Sequence, residues 1–213
     1  MDEKIIDKLW SLSERIPFDS KFLIHINRNQ KINPLNIFNY EKYYLELGPG
    51  WGEVSIEMAN QNKDVGFILI EKKINRVQHI LKEINKYNLN NIRIVLLNFN
   101  WFLKEILQED SYHEILLNFP DPWPKERHRK HRSFDIKFAN DILCLLKNGG
   151  RFRFATDHGG YGRSVIRMLR KSQIESLQSF HYSLNRPNLP FSYFEKIKLS
   201  ENKKIYYIEI RKK

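Results

Sequence analysis

Four short stretches carry side chains that could do chemistry. Glu46 lies in Leu45-Glu46-Leu47-Gly48-Pro49-Gly50-Trp51-Gly52, and Glu71 directly follows Val65-Gly66-Phe67-Ile68-Leu69-Ile70. A third apolar run leads into Leu97-Asn98-Phe99-Asn100-Trp101, and a fourth into Phe119-Pro120-Asp121-Pro122-Trp123-Pro124-Lys125. Alternating glycines after an apolar run let the backbone turn sharply and let a ligand approach the main chain. A dinucleotide site of the Gly-x-Gly-x-x-Gly type would need a third glycine at position 53, where Glu53 would repel a pyrophosphate. Gly48, Gly50 and Gly52, preceded by Glu46, instead suit a phosphate-free ligand with a cationic, amine-bearing arm. Glu71 can accept from both hydroxyls of a ribose, and an amide, Asn98 or Asn100, can meet an adenine. The glycines alone would be an ordinary tight turn. With Glu46, Glu71 and Asn100 at three strand ends they match S-adenosylmethionine, including its positive sulfonium and ammonium groups.

The Asp121 segment poses a different chemistry. Pro120 and Pro122 restrict the backbone on both sides of one carboxylate, and Trp123 offers a face on which an unstacked base could lie. Lys125, Arg127, Arg129, Lys130 and Arg132 follow at once, a strip suited to phosphates. The charge distribution supports this. Residues 1–118 hold 15 Lys+Arg against 16 Asp+Glu, whereas residues 119–213 hold 21 against 9, so the excess behind the net charge of +11 begins at the motif. Such asymmetry points to a polyanion such as nucleic acid. A turn aspartate bonded to its own backbone is the bland alternative for Asp121. His128 and His131 lack a Cys or carboxylate cluster to complete a metal site, so no metal is expected.

The elements that must position these residues follow from hydrophobic periodicity. Residues Glu3 to Ile16 predict an amphipathic helix, and a polar connector runs from Asn27 to Asn39. Strands are predicted over Tyr43–Leu47, Val65–Ile70, Ile92–Leu97, Glu114–Leu117 and Arg151–Ala155. Helices are predicted over Gly52–Asn60, Asn75–Tyr87, Trp101–Leu107 and Phe134–Lys147, the last stopped by Gly149-Gly150, with another beginning near Gly160. This alternation implies an α/β fold, a parallel sheet covered on both faces. Ser179–Leu184 and Ile205–Ile210 read as two closing strands without a long helix between them, which allows one to run antiparallel. At 213 residues the chain is expected to form one domain, 1–40 being an N-terminal helix and connector and 41–213 the core. Hydrophobic and aromatic contents of 41% and 13% exclude a disordered chain. The apolar runs are too short to span a membrane, and the acidic, mixed start is unlike a secretory signal. One cysteine, Cys144, fits a reducing cytoplasm and reads as a small core residue.

From about Tyr44 onward the chain resembles the tRNA (guanine-N7-)-methyltransferase family. The resemblance rests on Glu46 to Gly52, on Glu71, above all on Phe119 to Lys125 with its basic continuation, and on Ala155-Thr156-Asp157 and Ser192-Tyr193-Phe194-Glu195. It implies a Rossmann-like class I methyltransferase domain, with a mostly parallel seven-stranded sheet and an antiparallel strand near the C-terminus. It implies transfer of a methyl group from S-adenosylmethionine to N7 of a guanine in the variable region of tRNA. Cofactor contacts would fall on Glu46, Gly48, Gly50, Glu71, Asn100 and Asp121. Contacts with tRNA would fall on Lys125, Asp157, Ser192, Tyr193, Phe194 and Glu195. Two positions depart from the family: Asn100 stands where aspartate is usual, and Ser192 where threonine is usual. From the residues alone, Asp157 could instead cap the helix near Gly160, and Ser192 with Glu195 could form a capping box.

Guanine N7 carries a free lone pair, so no base is needed before attack. The purine gains positive charge as it is methylated, and a fixed carboxylate such as Asp121 can bind its N1–H and exocyclic amine and oppose that charge. An exocyclic-amine methyltransferase would show an Asn/Asp-Pro-Pro-aromatic turn, which Asp121-Pro122-Trp123-Pro124 breaks. A pyrimidine C5 methyltransferase would need a well-placed cysteine. A non-catalytic RNA-binding protein on the same fold is the rival from another class. The expected partner is tRNA, with no membrane, and the protein acts as a monomer or homodimer. Neutralising Arg129 and Lys130 is expected to weaken tRNA binding and to lower its log–log salt slope by about 1 or less per lost phosphate contact. An unchanged slope in a filter-binding titration would turn the strip away from the RNA.

Overall fold

The computed structural model describes residues 3–100, 103–122, 134–170, 174–178 and 181–213. Trp123, Lys125, Arg127, His128, Arg129, Lys130, His131 and Arg132 lie outside them. Seven strands form one sheet: β1 (Lys42–Leu47), β2 (Val65–Glu71), β3 (Ile92–Leu96), β4 (Tyr112–Asn118), β5 (Leu146–Thr156), β6 (Ile174–Ser176) and β7 (Tyr206–Lys212), in the order β3-β2-β1-β4-β5-β7-β6. Pairs from β3 across to β5 are parallel, and β7 runs antiparallel to both β5 and β6. This is the class I α/β arrangement that the sequence implied.

β2 shows why the sheet is buried on both faces. All seven of its residues are buried, and successive side chains alternate between two cores. Ile68 and Ile70 join one core with Leu45, Leu47, Phe138, Ile142 and Val165. Phe67 and Leu69 join the other with Val54, Val77, Ile80 and Ile84. The covering helices are α1 (Glu3–Glu14), α2 (Glu53–Gln61), α3 (Ile74–Lys86), α4 (Leu103–Ile106), α5 (Ile136–Leu145), α6 (Gly159–Leu169) and α7 (Tyr193–Ser200). Val77, Ile80, Leu81 and Ile84 give α3 one apolar stripe. Asp135 caps α5 by accepting the Phe138 N–H at 2.7 Å.

The first forty residues are tied to the sheet. Ile6 and Leu9 of α1 enter the larger core. The chain then runs beside β3, where Ile24 N–H donates to the Ile94 carbonyl at 2.8 Å and Ile94 N–H to the Phe22 carbonyl at 2.9 Å. An otherwise open sheet edge is thereby covered. The C-terminal part differs from the pattern in the sequence. β6 lies at Ile174–Ser176; of the expected Ser179–Leu184 strand, 179 and 180 lie outside the described residues, and among 181–184 Ser183 alone pairs with the sheet, as a bridge to Tyr207. α7 fills the interval before β7.

β1 runs to β2 and β3 on one side, while β4 and β5 lie on the other, so the strand order reverses between β1 and β4. The carboxyl ends diverge there and leave a crevice, the usual ligand position in an open α/β sheet. The glycine turn after β1 borders it. Gly48, Gly50 and Gly52 all have positive φ, and Gly52, at +88°, starts α2. A Cβ on Gly52 would lie 2.7 Å from Ile80 Cγ1, so position and conformation both require glycine. Gly52→Ala is expected to destabilise the fold by about 1–3 kcal/mol, seen as a lower thermal midpoint. An unchanged midpoint would show that α3 yields at Ile80.

Candidate active site

A cleft of about 320 Å³ opens at the β1/β4 reversal. Glu46, Gly48, Pro49, Gly50 and Trp51 line one side, and Asn118, Phe119, Pro120, Asp121 and Pro122 the other. Asp157, Ser192, Tyr193 and Phe194 close the rim. The glycine corner and the Asp121 loop, 70 residues apart in sequence, thus face one space.

Glu46 is the buried end of this cleft, with 3% of its surface exposed. Its carboxylate accepts a short hydrogen bond from Ser55 Oγ and one from Asn118 Nδ2 at 3.4 Å. Both partners are neutral, and among the described residues no Lys or Arg pairs with it. Burial therefore pushes its carboxyl up to about 7, and the nearby Glu53 adds to the rise while Ser55 and Asn118 oppose it. A carboxyl left without a cation at the floor of an open cleft fits a ligand that brings a positive charge.

Glu71, at the end of β2, is buried and lies behind the glycine turn rather than on the cleft wall. It accepts from Gly50 N–H at 3.2 Å, Lys72 N–H at 2.8 Å and Lys73 N–H at 2.9 Å, and the Arg76 guanidinium stands 3.7 Å away. The expected ribose acceptor is thus also the residue that fixes Gly50. Arg76 reaches the cleft and faces the Trp51 ring at 5.9 Å, with His79 edge-on to the same ring at 5.2 Å. Asn100 is exposed, bonded through its backbone N–H to Asn98 Oδ1 at 3.2 Å, and outside the cleft lining.

The Asp121 carboxylate is exposed at the cleft mouth. Its direction is set two residues earlier. Phe119 has φ +49°, unusual for a bulky residue, with its N–H held by the Ala155 carbonyl at 2.8 Å. Strain of this kind persists where surrounding contacts enforce it. Here the ring packs against Ala155, Ile205 and Tyr207, and 5.1 Å from the Phe194 ring.

Asp157 is not the cap of α6. That role belongs to His158, whose Nδ1 accepts the Tyr161 N–H at 3.0 Å, leaving Asp157 on the cleft rim. Ser192 does cap α7, its Oγ accepting the Glu195 N–H at 3.1 Å, while Ser192, Tyr193 and Phe194 also line the cleft. Glu195 does not complete a capping box. Its side chain turns inward, buried, to Arg186 and Tyr207. Lys125 lies outside the described residues. Residues whose roles sequence reasoning missed include Asn118, Ser55 and Arg76. Asn118 had a signal, a polar residue ending a strand, whereas nothing local marks Ser55 or Arg76. Among the described residues no cluster of His, Cys, Asp and Glu could hold a metal ion, and no helix is long and apolar enough to cross a membrane.

The fold and cleft define a class I methyltransferase. Solved structures share its architecture: the aminoglycoside resistance methyltransferase NpmB1 superposes with a TM-score of 0.61 at 14% identity, covering 84% of this chain and 91% of that one. The [4+2]-cyclase SpnF does so with a TM-score of 0.59 at 11% identity, over 83% of this chain and 76% of its own, so the fold alone does not set the reaction. A family profile described as "Putative methyltransferase" matches residues 40–208. A tRNA (guanine-N(7)-)-methyltransferase of Leptospira interrogans (serovar Lai, strain 56601) is 46% identical over 211 residues, 98% of this chain and 97% of its own length. One from Chlamydia abortus is 34% identical over 175 residues, 82% of this chain and 78% of its own. The chain belongs to the tRNA (guanine-N7-)-methyltransferase family.

Glu46 gives this site a pH signature. Because its folded pKa is raised, the stability it contributes is complete below about pH 4.5 and is lost as pH rises through about 7. A cationic ligand favours the ionised form, so affinity for S-adenosylmethionine is expected to tighten as pH rises through about 7. Glu46→Gln should flatten that dependence in calorimetric titrations, weaken binding, and make the ligand-free protein at pH 8 more stable by up to about 3 kcal/mol. An identical pH dependence in the variant would remove Glu46 from the titration.

Proposed function

We propose that the protein methylates N7 of a guanine in the variable region of tRNA, using S-adenosylmethionine, in the cytoplasm and as a monomer or homodimer. One observation carries this most: a buried carboxyl without a cation, Glu46, and an exposed carboxylate on a strained turn, Asp121, share the cleft where the sheet reverses. S-adenosylmethionine supplies an electrophilic methyl group on a sulfonium, which needs no acid or metal to leave. Glu46 is the anion available to the cofactor's positive arm. Glu71 holds Gly50, so the glycine turn keeps its shape before the ligand arrives, and the ribose hydroxyls compete with Arg76 for the same carboxylate.

Asp121 faces the base. Its carboxylate accepts from guanine N1–H and the exocyclic amine, which leaves N7 unprotonated and turned toward the cofactor. Holding both reactants in one cleft supplies a share of the roughly 7–11 kcal/mol that orientation can contribute. As N7 becomes positive, the fixed negative charge strengthens its hold, which favours the transition state over the ground state. Asp157, Ser192, Tyr193 and Phe194 on the rim, with Lys125 and the basic strip, face the RNA around the target. Cys144 lies on α5 and not on the cleft, away from any role in C5 chemistry.

The test is to incubate the protein with labelled S-adenosylmethionine and bulk tRNA, digest the RNA and identify the labelled nucleoside. The expected product is 7-methylguanosine. A label on an exocyclic amine would replace this reading with the amine methyltransferase, and no heat of cofactor binding would replace it with an RNA-binding protein. Asp121→Ala is expected to lower transfer at least about 100-fold while cofactor binding stays measurable. Near-normal turnover would take Asp121 out of the mechanism.

A further inference from the structure

Glu195 is 5% exposed, although Ser192, Tyr193 and Phe194 beside it line the cleft. Its carboxylate is already paired within the protein. Arg186 Nε donates to its Oε1 at 2.9 Å and Nη2 to Oε2 at 3.4 Å, a two-pronged pairing, and the Tyr207 hydroxyl donates to Oε1 at 2.6 Å. Arg186 is held in turn, donating from Nη1 to the Pro187 carbonyl at 3.0 Å, with its guanidinium 3.5 Å from the Phe191 ring centroid. Tyr207 belongs to β7, and its ring also lies in the cluster that supports Phe119. One strand residue therefore touches two segments that line the cleft: through its hydroxyl the start of α7, through its ring the turn that aims Asp121. The Phe119 and Phe194 rings, 5.1 Å apart, join the two segments directly.

Resting on the function proposed above, we infer that Arg186 and Tyr207 are positioning residues that act through Glu195: they draw the first turn of α7 onto the sheet and set Ser192, Tyr193 and Phe194 at a fixed distance from Asp121. Glu195 is then a keystone of the substrate rim and not a contact of the tRNA. The carboxylate acts on the helix turn that carries Tyr193 and Phe194 on the cleft rim.

The experiment compares Tyr207→Phe, Arg186→Lys and Glu195→Gln with the unsubstituted protein. Tyr207→Phe keeps the ring under Phe119 and removes only the hydroxyl, and Arg186→Lys keeps the charge and loses the fork. Each is measured for tRNA KM and kcat, for cofactor Kd, and for amide hydrogen exchange across residues 193–196. The tRNA KM should rise about tenfold, the loss of a hydrogen bond to a charged group, with cofactor Kd within about twofold and faster exchange in the first turn of α7. The double variant Tyr207→Phe/Glu195→Gln should be no worse than Glu195→Gln alone, because both changes break one unit. Unchanged exchange in both Tyr207→Phe and Arg186→Lys would overturn the inference, as would an unchanged tRNA KM in both or losses that multiply in the double variant. If the unsubstituted protein methylates no tRNA, the proposed function fails, and the exchange rates still decide whether Arg186 and Tyr207 hold α7.

Discussion

A carboxyl buried beside neutral partners is poorly solvated as an anion, and the protein places one, Glu46, at the end of β1 where the sheet reverses direction. Removing a charge from water without a compensating cation is unfavourable enough to raise its pKa toward neutrality. Among the described residues no cation supplies that compensation. Much of the site can be understood as what this constraint demands: Ser55 and Asn118 give hydrogen bonds but no charge, the glycine turn lets a ligand approach the main chain, and Glu71 fixes that turn from behind.

The opposite wall obeys a different rule. Solvent reaches the Asp121 carboxylate, and an exposed loop does not by itself hold a direction. Direction is built from below. Phe119 is kept in a left-handed conformation by a hydrogen bond to Ala155 and by packing on β7, and two prolines then limit the chain on either side of the aspartate. β7 supports the rest of the rim as well. Tyr207 reaches Glu195 of α7, and Tyr206 lies so close to Gly159 that a Cβ there would stand 2.7 Å from its ring, two residues from Asp157. The antiparallel strand is therefore more than a way to finish the sheet. It is the common footing of three segments that line the cleft.

The two walls differ in their place in the sequence and in charge. The glycine side is fixed early in the chain, near-neutral in charge and rigid through backbone contacts. The far side belongs to the cationic half of the sequence, the charge that a polyanionic partner would meet. A structural neighbour with the same fold and another reaction, the [4+2]-cyclase, shows that the fold alone leaves the chemistry open.

The sequence by itself determined the alternating strands and helices, the Glu46 and Glu71 strand ends, the glycine turn and the Asp121 corner, because each is written in local periodicity or in a contiguous motif. It also indicated Asp157 and Ser192 to Phe194, though with capping roles left open. The tertiary structure alone decided that His158 rather than Asp157 caps α6, that Glu195 turns inward to Arg186 and Tyr207, and that Asn100 lies off the cleft. It also decided that among the described residues 181–184 Ser183 alone meets β7, as an isolated bridge to Tyr207. For Glu195 and for the chain after β6 the physical reason is the same. A side chain's direction and partners depend on which distant backbone lies beside it, and residues as far apart as 46 and 118, or 195 and 207, meet only once the sheet has closed around its cores.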